Sequence, residues 1–96
     1  MEQGIIYYPD GRETEVKPAK GKKFSLAELQ AAVGGYIERI LLVPGNGHAT
    51  MYGDEDGKCK GLPVNQKASS MALATRQMND YVVGPVIVVR KAKGGK

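Results

Sequence analysis

The chain carries one cysteine, one histidine and no tryptophan in 96 residues. Each scarcity removes a class of function. A lone Cys59 excludes an intrachain disulfide framework and suits a reducing compartment, so a cytoplasmic location is expected. One His48 and one Cys59 cannot close a zinc site. Asp54-Glu55-Asp56-Gly57 starts like a calcium loop, but Asn65 stands where the distal bidentate glutamate belongs, and a turn is the better account. No metal and no cofactor is expected. No Walker motif, dinucleotide fingerprint or G-x-S-x-G is present. A His48/Cys59 nucleophile–base pair is conceivable, with Lys58 and Lys60 lowering the thiol pKa. Strand alternation would turn both lysines away from Cys59, which then reads as a small buried hydrophobe. With no convergent acid, base and nucleophile, the chain is not expected to be an enzyme. No apolar run approaches the length of a membrane span. MEQGIIYY holds an acidic residue and no long apolar stretch, so neither a signal peptide nor an anchor is expected.

Positive charge, by contrast, is plentiful. The net charge is +4. Lys17, Lys20, Lys22 and Lys23 form one basic run, and Arg90, Lys91, Lys93 and Lys96 another. Their Gly, Ala and Pro spacing suits solvated surface, with polyanion contact as the sharper alternative. The composition predicts one domain over 1–90 and a basic flexible tail over 91–96.

The stretch from Lys23 to Val43 is the most strongly written. Ser25 with Glu28 three residues on forms a capping box, and Phe24 with Leu29 can form the hydrophobic staple. Leu26, Leu29, Ala32 and Val33 share one helical face. Gly34-Gly35 stops the helix, and Tyr36 to Val43 continues as a strand. Before it, Gly4–Tyr8 and Glu13–Lys17 read as strands around a Pro9-Asp10-Gly11 turn. After it come a Pro44-Gly45-Asn46-Gly47 hairpin, a return strand over His48–Tyr52 and a short strand Lys58-Cys59-Lys60. Asn65 caps a second helix reaching Met78, with Ala68, Met71, Ala72, Thr75 and Met78 inside. The last strand runs from Tyr81 to Val89. Gly84-Pro85 places an edge or a bulge in it, and Val86–Val89 fits burial on both faces or against a second subunit. The order is β-β-α-β-β-β-α-β: an α+β domain of two layers, an antiparallel or mixed sheet with two helices. So short a chain makes a homo-oligomer the expected source of extra stability.

LAELQAAVGGYIE, MYGDEDGKCKGLPVNQKAS and YVVGPVIVV together resemble the domain of unknown function 3846 family. The Gly-Gly-Tyr-Ile-Glu join and the Gly-Lys-x-Lys-Gly-Leu-Pro-x-Asn run are the most specific pieces. The resemblance implies an accessory protein of phages, prophages and bacteria with large accessory genomes, without an assigned activity. Gly53 or Asp54, where relatives often carry Asn, and Pro85, where they carry an acid, depart from the pattern.

One stretch is compatible with phosphate. Lys58, Lys60, Gly61, Asn65, Gln66 and Lys67 bring lysines, a glycine turn and a helix start together, and helix starts offer free N–H groups to anions. Lys67 in the first helical turn opposes the helix dipole unless an anion sits there. Tyr36 and Tyr52, with Tyr7 and Tyr8, lie on or beside strands, where aromatics can stack on a ligand or simply pack. The expected function is a non-enzymatic, phage-type counter-defence protein that sequesters a small anionic ligand, such as a nucleotide immune signal, in the host cytoplasm. The alternatives are a protein-binding inhibitor of a host defence enzyme and a nucleic-acid-binding module using the lysine runs; no membrane partner is expected.

Overall fold

The computed structural model describes residues 1–45 and 49–91, apart from the side chain of Arg76. Among them the elements are β1 (Glu2–Tyr7), β2 (Glu13–Val16), α1 (Leu26–Val33), β3 (Ile37–Ile40), β4 (Thr50–Asp54), α2 (Gln66–Met71), α3 (Leu73–Met78) and β5 (Val86–Lys91). The strands form one sheet in the order β2-β1-β5-β4-β3, and every neighbouring pair is antiparallel. The small α+β domain expected from the sequence is therefore present. The expected Asn-Gly turn with His48, and the tail beyond Lys91, lie outside the described residues.

α1 forms where its signals place it. Ser25 Oγ accepts from the Glu28 N–H at 3.1 Å, and Glu28 accepts in return from the Ser25 N–H at 2.8 Å. Gly34 ends the helix at φ 91°, a left-handed conformation that costs glycine no Cβ clash. Leu29 and Val33 are buried, whereas Leu26, expected inside, is exposed; Phe24, before the cap, joins the apolar cluster instead.

The sheet separates two apolar clusters. Val86 and Val88 of β5 join Tyr7, Met51, Ala68, Met71, Ala72 and Val82 beneath α2. Ile87 and Val89 point the other way, to Ile6, Leu29 and Val33 beneath α1. The apolar run Val86–Val89 is thus buried on both faces within one chain, and it gives no independent reason for a second subunit. Of the edge or bulge expected at Gly84-Pro85, the edge is corrected as well. β5 is the central strand, and Pro85 stands just before its first residue, where its missing N–H costs no ladder bond.

Two further elements differ from expectation. The second helix breaks at Ala72, whose ψ of 133° is extended. The break makes two long-range bonds possible: Leu73 N–H donates to Leu41 O at 2.8 Å, and Val43 N–H donates to Met71 O at 2.9 Å. Lys58-Cys59-Lys60 is not a strand. Gly57 N–H donates to Asp54 O, Lys60 N–H to Asp56 O and Gly61 N–H to Lys58 O, so the segment is a series of tight turns. Cys59 is consequently exposed rather than buried.

Candidate functional site

The turns after β4 determine what the lysines do. Lys60 Nζ donates to Asp54 Oδ2 at 2.6 Å, and the Asp54 side chain is only 1% exposed. Burial alone would raise the Asp54 pKa, but the bonds from Lys60 and from the Asp56 N–H outweigh it and hold the carboxyl below its usual range. Lys58 pairs with the Asp80 carboxylate, and its Nζ lies 4.6 Å from the centre of the Tyr81 ring. These bonds raise the pKa of both lysines.

Asn65 is fully buried and its amide is committed inside the protein. Oδ1 accepts from the Ala68 N–H at 3.0 Å, while Nδ2 donates to Tyr7 O at 3.0 Å and to Gly84 O at 2.8 Å. Gly61, Gln66 and Lys67 are exposed nearby. Tyr52 packs into the α1 cluster, on the other side of the sheet from α2. Tyr36 is 68% exposed at the start of β3. The structure therefore gathers Lys58, Lys60 and Gly61 in one series of turns but binds both lysines to carboxylates, and it separates Tyr52 from them.

A larger feature lies alongside. A groove of about 480 Å³ runs between α3, β3, the turns after Asp54 and the segment leading to Val83. Its lining includes Ile40, Ala72 and Val83, with Leu41, Met78 and Tyr81 also along it. These last three are among the large apolar side chains left exposed, at 61%, 75% and 50%. Gly53 keeps the β4 wall open: a Cβ there would sit 2.8 Å from Ile40 Cδ1. Thr75 also lines the groove, and its Oγ1 is buried without a hydrogen-bond partner among the described residues.

The groove is acidic. Glu38, Asp54, Glu55 and Asp80 line it, against Arg39 and Lys58. Asp54 and Asp80 have their lysines, but the side-chain carboxylates of Glu38 and Glu55 make no hydrogen bond or ion pair among the described residues. Desolvation and then the neighbouring Glu55 charge raise the Glu38 pKa, with Lys58 opposing them. Such a lining suits an occupant with apolar and cationic groups, and it repels a phosphate. Among the described residues no three His, Cys, Asp or Glu side chains converge as metal ligands, and no helix is long and apolar enough to cross a membrane.

Thr75, Met78, Asp80 and Tyr81 escaped the sequence reading as site residues. Thr75 and Met78 fit the inner stripe of a continuous helix, and only the break at Ala72 moves them to the groove. The family model described as Domain of unknown function (DUF3846) matches residues 1–96, and the chain belongs to that family. No curated protein and no solved structure matches it.

Proposed function

We propose that this member of the DUF3846 family is a non-enzymatic accessory binding protein, of phage or prophage type, that masks a host protein in the cytoplasm. The observation that carries the reading is the exposure of Leu41, Met78 and Tyr81 around a groove of about 480 Å³. Isolated exposed apolar residues are ordinary, but a group of them around a concavity marks an interaction surface. The occupant that fits is a protein segment with an apolar anchor and a positive charge, because the Glu38 and Glu55 carboxylates have no ion pair among the described residues. Sequestration of a nucleotide signal has less support, since it needs Lys58 and Lys60 free, and Asp80 and Asp54 hold them. A nucleic-acid partner would have to avoid this face and use the lysine runs.

The test pairs binding with groove variants. Leu41→Glu with Met78→Glu should abolish a stoichiometric complex seen by native mass spectrometry after purification from host cells. The far-UV spectrum should stay unchanged, because both side chains are exposed. Full retention of the partner by the double variant overturns the reading. A nucleotide that raises the melting temperature by several degrees, with Lys58→Ala and Lys60→Ala removing the effect, would replace it with the phosphate reading.

A further inference from the structure

The outer edge of β3 is open over a short, defined stretch. Tyr36 O accepts from the Glu55 N–H at 3.0 Å, in register with the pairs Glu38↔Gly53 and Ile40↔Met51. In an antiparallel ladder the intervening residues turn their N–H and C=O groups the other way. Ile37, Arg39, Leu41 and Val43 therefore present theirs to the outside. At Leu41 and Val43 that side is taken, because the α2–α3 junction pairs there through Leu73 and Met71. Among the described residues nothing pairs with Ile37 or Arg39 on that side. The molecule has thus added a short piece of strand to one half of its own edge and left the other half vacant, directly beside the groove.

We propose that the open edge at Ile37–Arg39 takes an extended peptide segment of a partner protein as a sixth strand, with a Lys or Arg of that segment seated against Glu38 and Glu55. The proposal rests on the masking function above and specifies how the partner is held. Main-chain bonds to Ile37 and Arg39 supply affinity, and alternate side chains supply selectivity. A peptide residue across from Glu38 projects onto the groove face, since Glu38 shares that face with Ile40, which packs in the α2 cluster. A cation there meets two carboxylates that have no ion pair among the described residues. Two positions along, toward Ile40, an apolar side chain enters the groove beside Met78. A second copy of this chain fits less well: a two-fold pairing centred on the open stretch sets Glu38 against Glu38, and like charges directly opposite are unfavourable.

The probe is a short capped peptide of alternating Thr and Val with one Arg and, two positions on, one Leu; a Glu-for-Arg peptide is the control. Amide exchange and amide NMR shifts of the intact protein are the readouts. The Arg peptide should slow exchange of the Ile37 and Arg39 amides, and the Glu peptide should not. Glu38→Gln should weaken binding about tenfold, the scale of one lost charge pair. Arg39→Pro should abolish it with the fold retained, because proline is tolerated where an edge N–H faces outward. Shifts at Leu41, Thr75 and Met78 without protection of Ile37 and Arg39 would overturn strand addition and leave the groove reading standing. No shift at either place would overturn both, and concentration-dependent protection without peptide would give the edge to a second copy instead.

Discussion

On one face of the sheet α1 is secured by its own neighbours; on the other, α2 is secured by residues far away in sequence. Ser25 and Glu28 close the start of α1 across three positions, and Gly34 ends it. Asn65, at the start of α2, reaches Tyr7 across 58 positions and Gly84 across 19. The local device sets the ends of one helix, while burial of Leu29 and Val33 holds it on the sheet. The remote device fixes a helix, the end of β1 and the start of β5 together. The groove lies on the remotely secured face, where the helix breaks and its second half leaves space over β3. The groove is built where the local rules are weakest.

The comparison can be broken most forcefully at Asn65. Asn65→Ala removes two hydrogen bonds to buried carbonyls and leaves one helix N–H without its cap, and should cost roughly 3 kcal/mol in chemical denaturation, at about 1 for each lost bond. A loss of under 1 kcal/mol, the ordinary scale of a simple cap, would show that the face is not held remotely. Asp54→Ala should follow, at about 2 kcal/mol, through the buried carboxylate that accepts from Lys60 and the Asp56 N–H. The sign of its pH dependence follows from the lowered folded pKa. The stabilisation is fully present above the ordinary value of 3.8 and is lost as pH falls through the lower folded value. Acid titration of Asp54→Asn should therefore show a shallower loss than wild type.

Ser69→Ala sharpens the comparison on the same face. Ser69 Oγ accepts from the Val82 N–H at 2.8 Å and donates to Val82 O at 3.3 Å. Its removal should cost about 1–2 kcal/mol. Ser25→Ala has a smaller effect, about 1 kcal/mol for a lost cap oxygen. Glu28→Ala should cost less, and the double variant less than the sum, because the two side chains complete one box. Strict additivity in thermal or chemical melts would show that they act separately.

The same contrast decides what was legible beforehand. The capping box, the glycine stop and the doubly buried Val86–Val89 run are statements about adjacent residues, and adjacent residues are what a sequence displays. Ala72 is a good helix former in a helical stretch, and nothing near it announces an extended conformation. The reason is Leu42, thirty positions earlier, whose strand extension claims the backbone on either side of Ala72. The turns at Lys58-Cys59-Lys60 have a local signal in the flanking Gly57 and Gly61, but a polar–apolar–polar segment between glycines also passes as a strand. Asn65 caps α2, as its place before the helical stretch predicts. That its other end would be consumed by Tyr7 and Gly84 follows only from a topology that brings β1 and β5 together.

The central place of β5 has a consequence for how the chain is made. β1 with β2, and β3 with β4, are hairpins of neighbours in sequence, yet within the sheet they meet only through β5. During synthesis both hairpins leave the ribosome with one apolar edge open, and neither can find the other until Val86–Lys91 has followed them out. Until then the nascent chain is two sticky flaps awaiting a zip. Pairings this far apart in sequence form slowly, and an exposed edge invites the wrong neighbour. Production of this protein should therefore respond more to the speed of translation, and to chaperones that shield strand edges, than its small size would suggest.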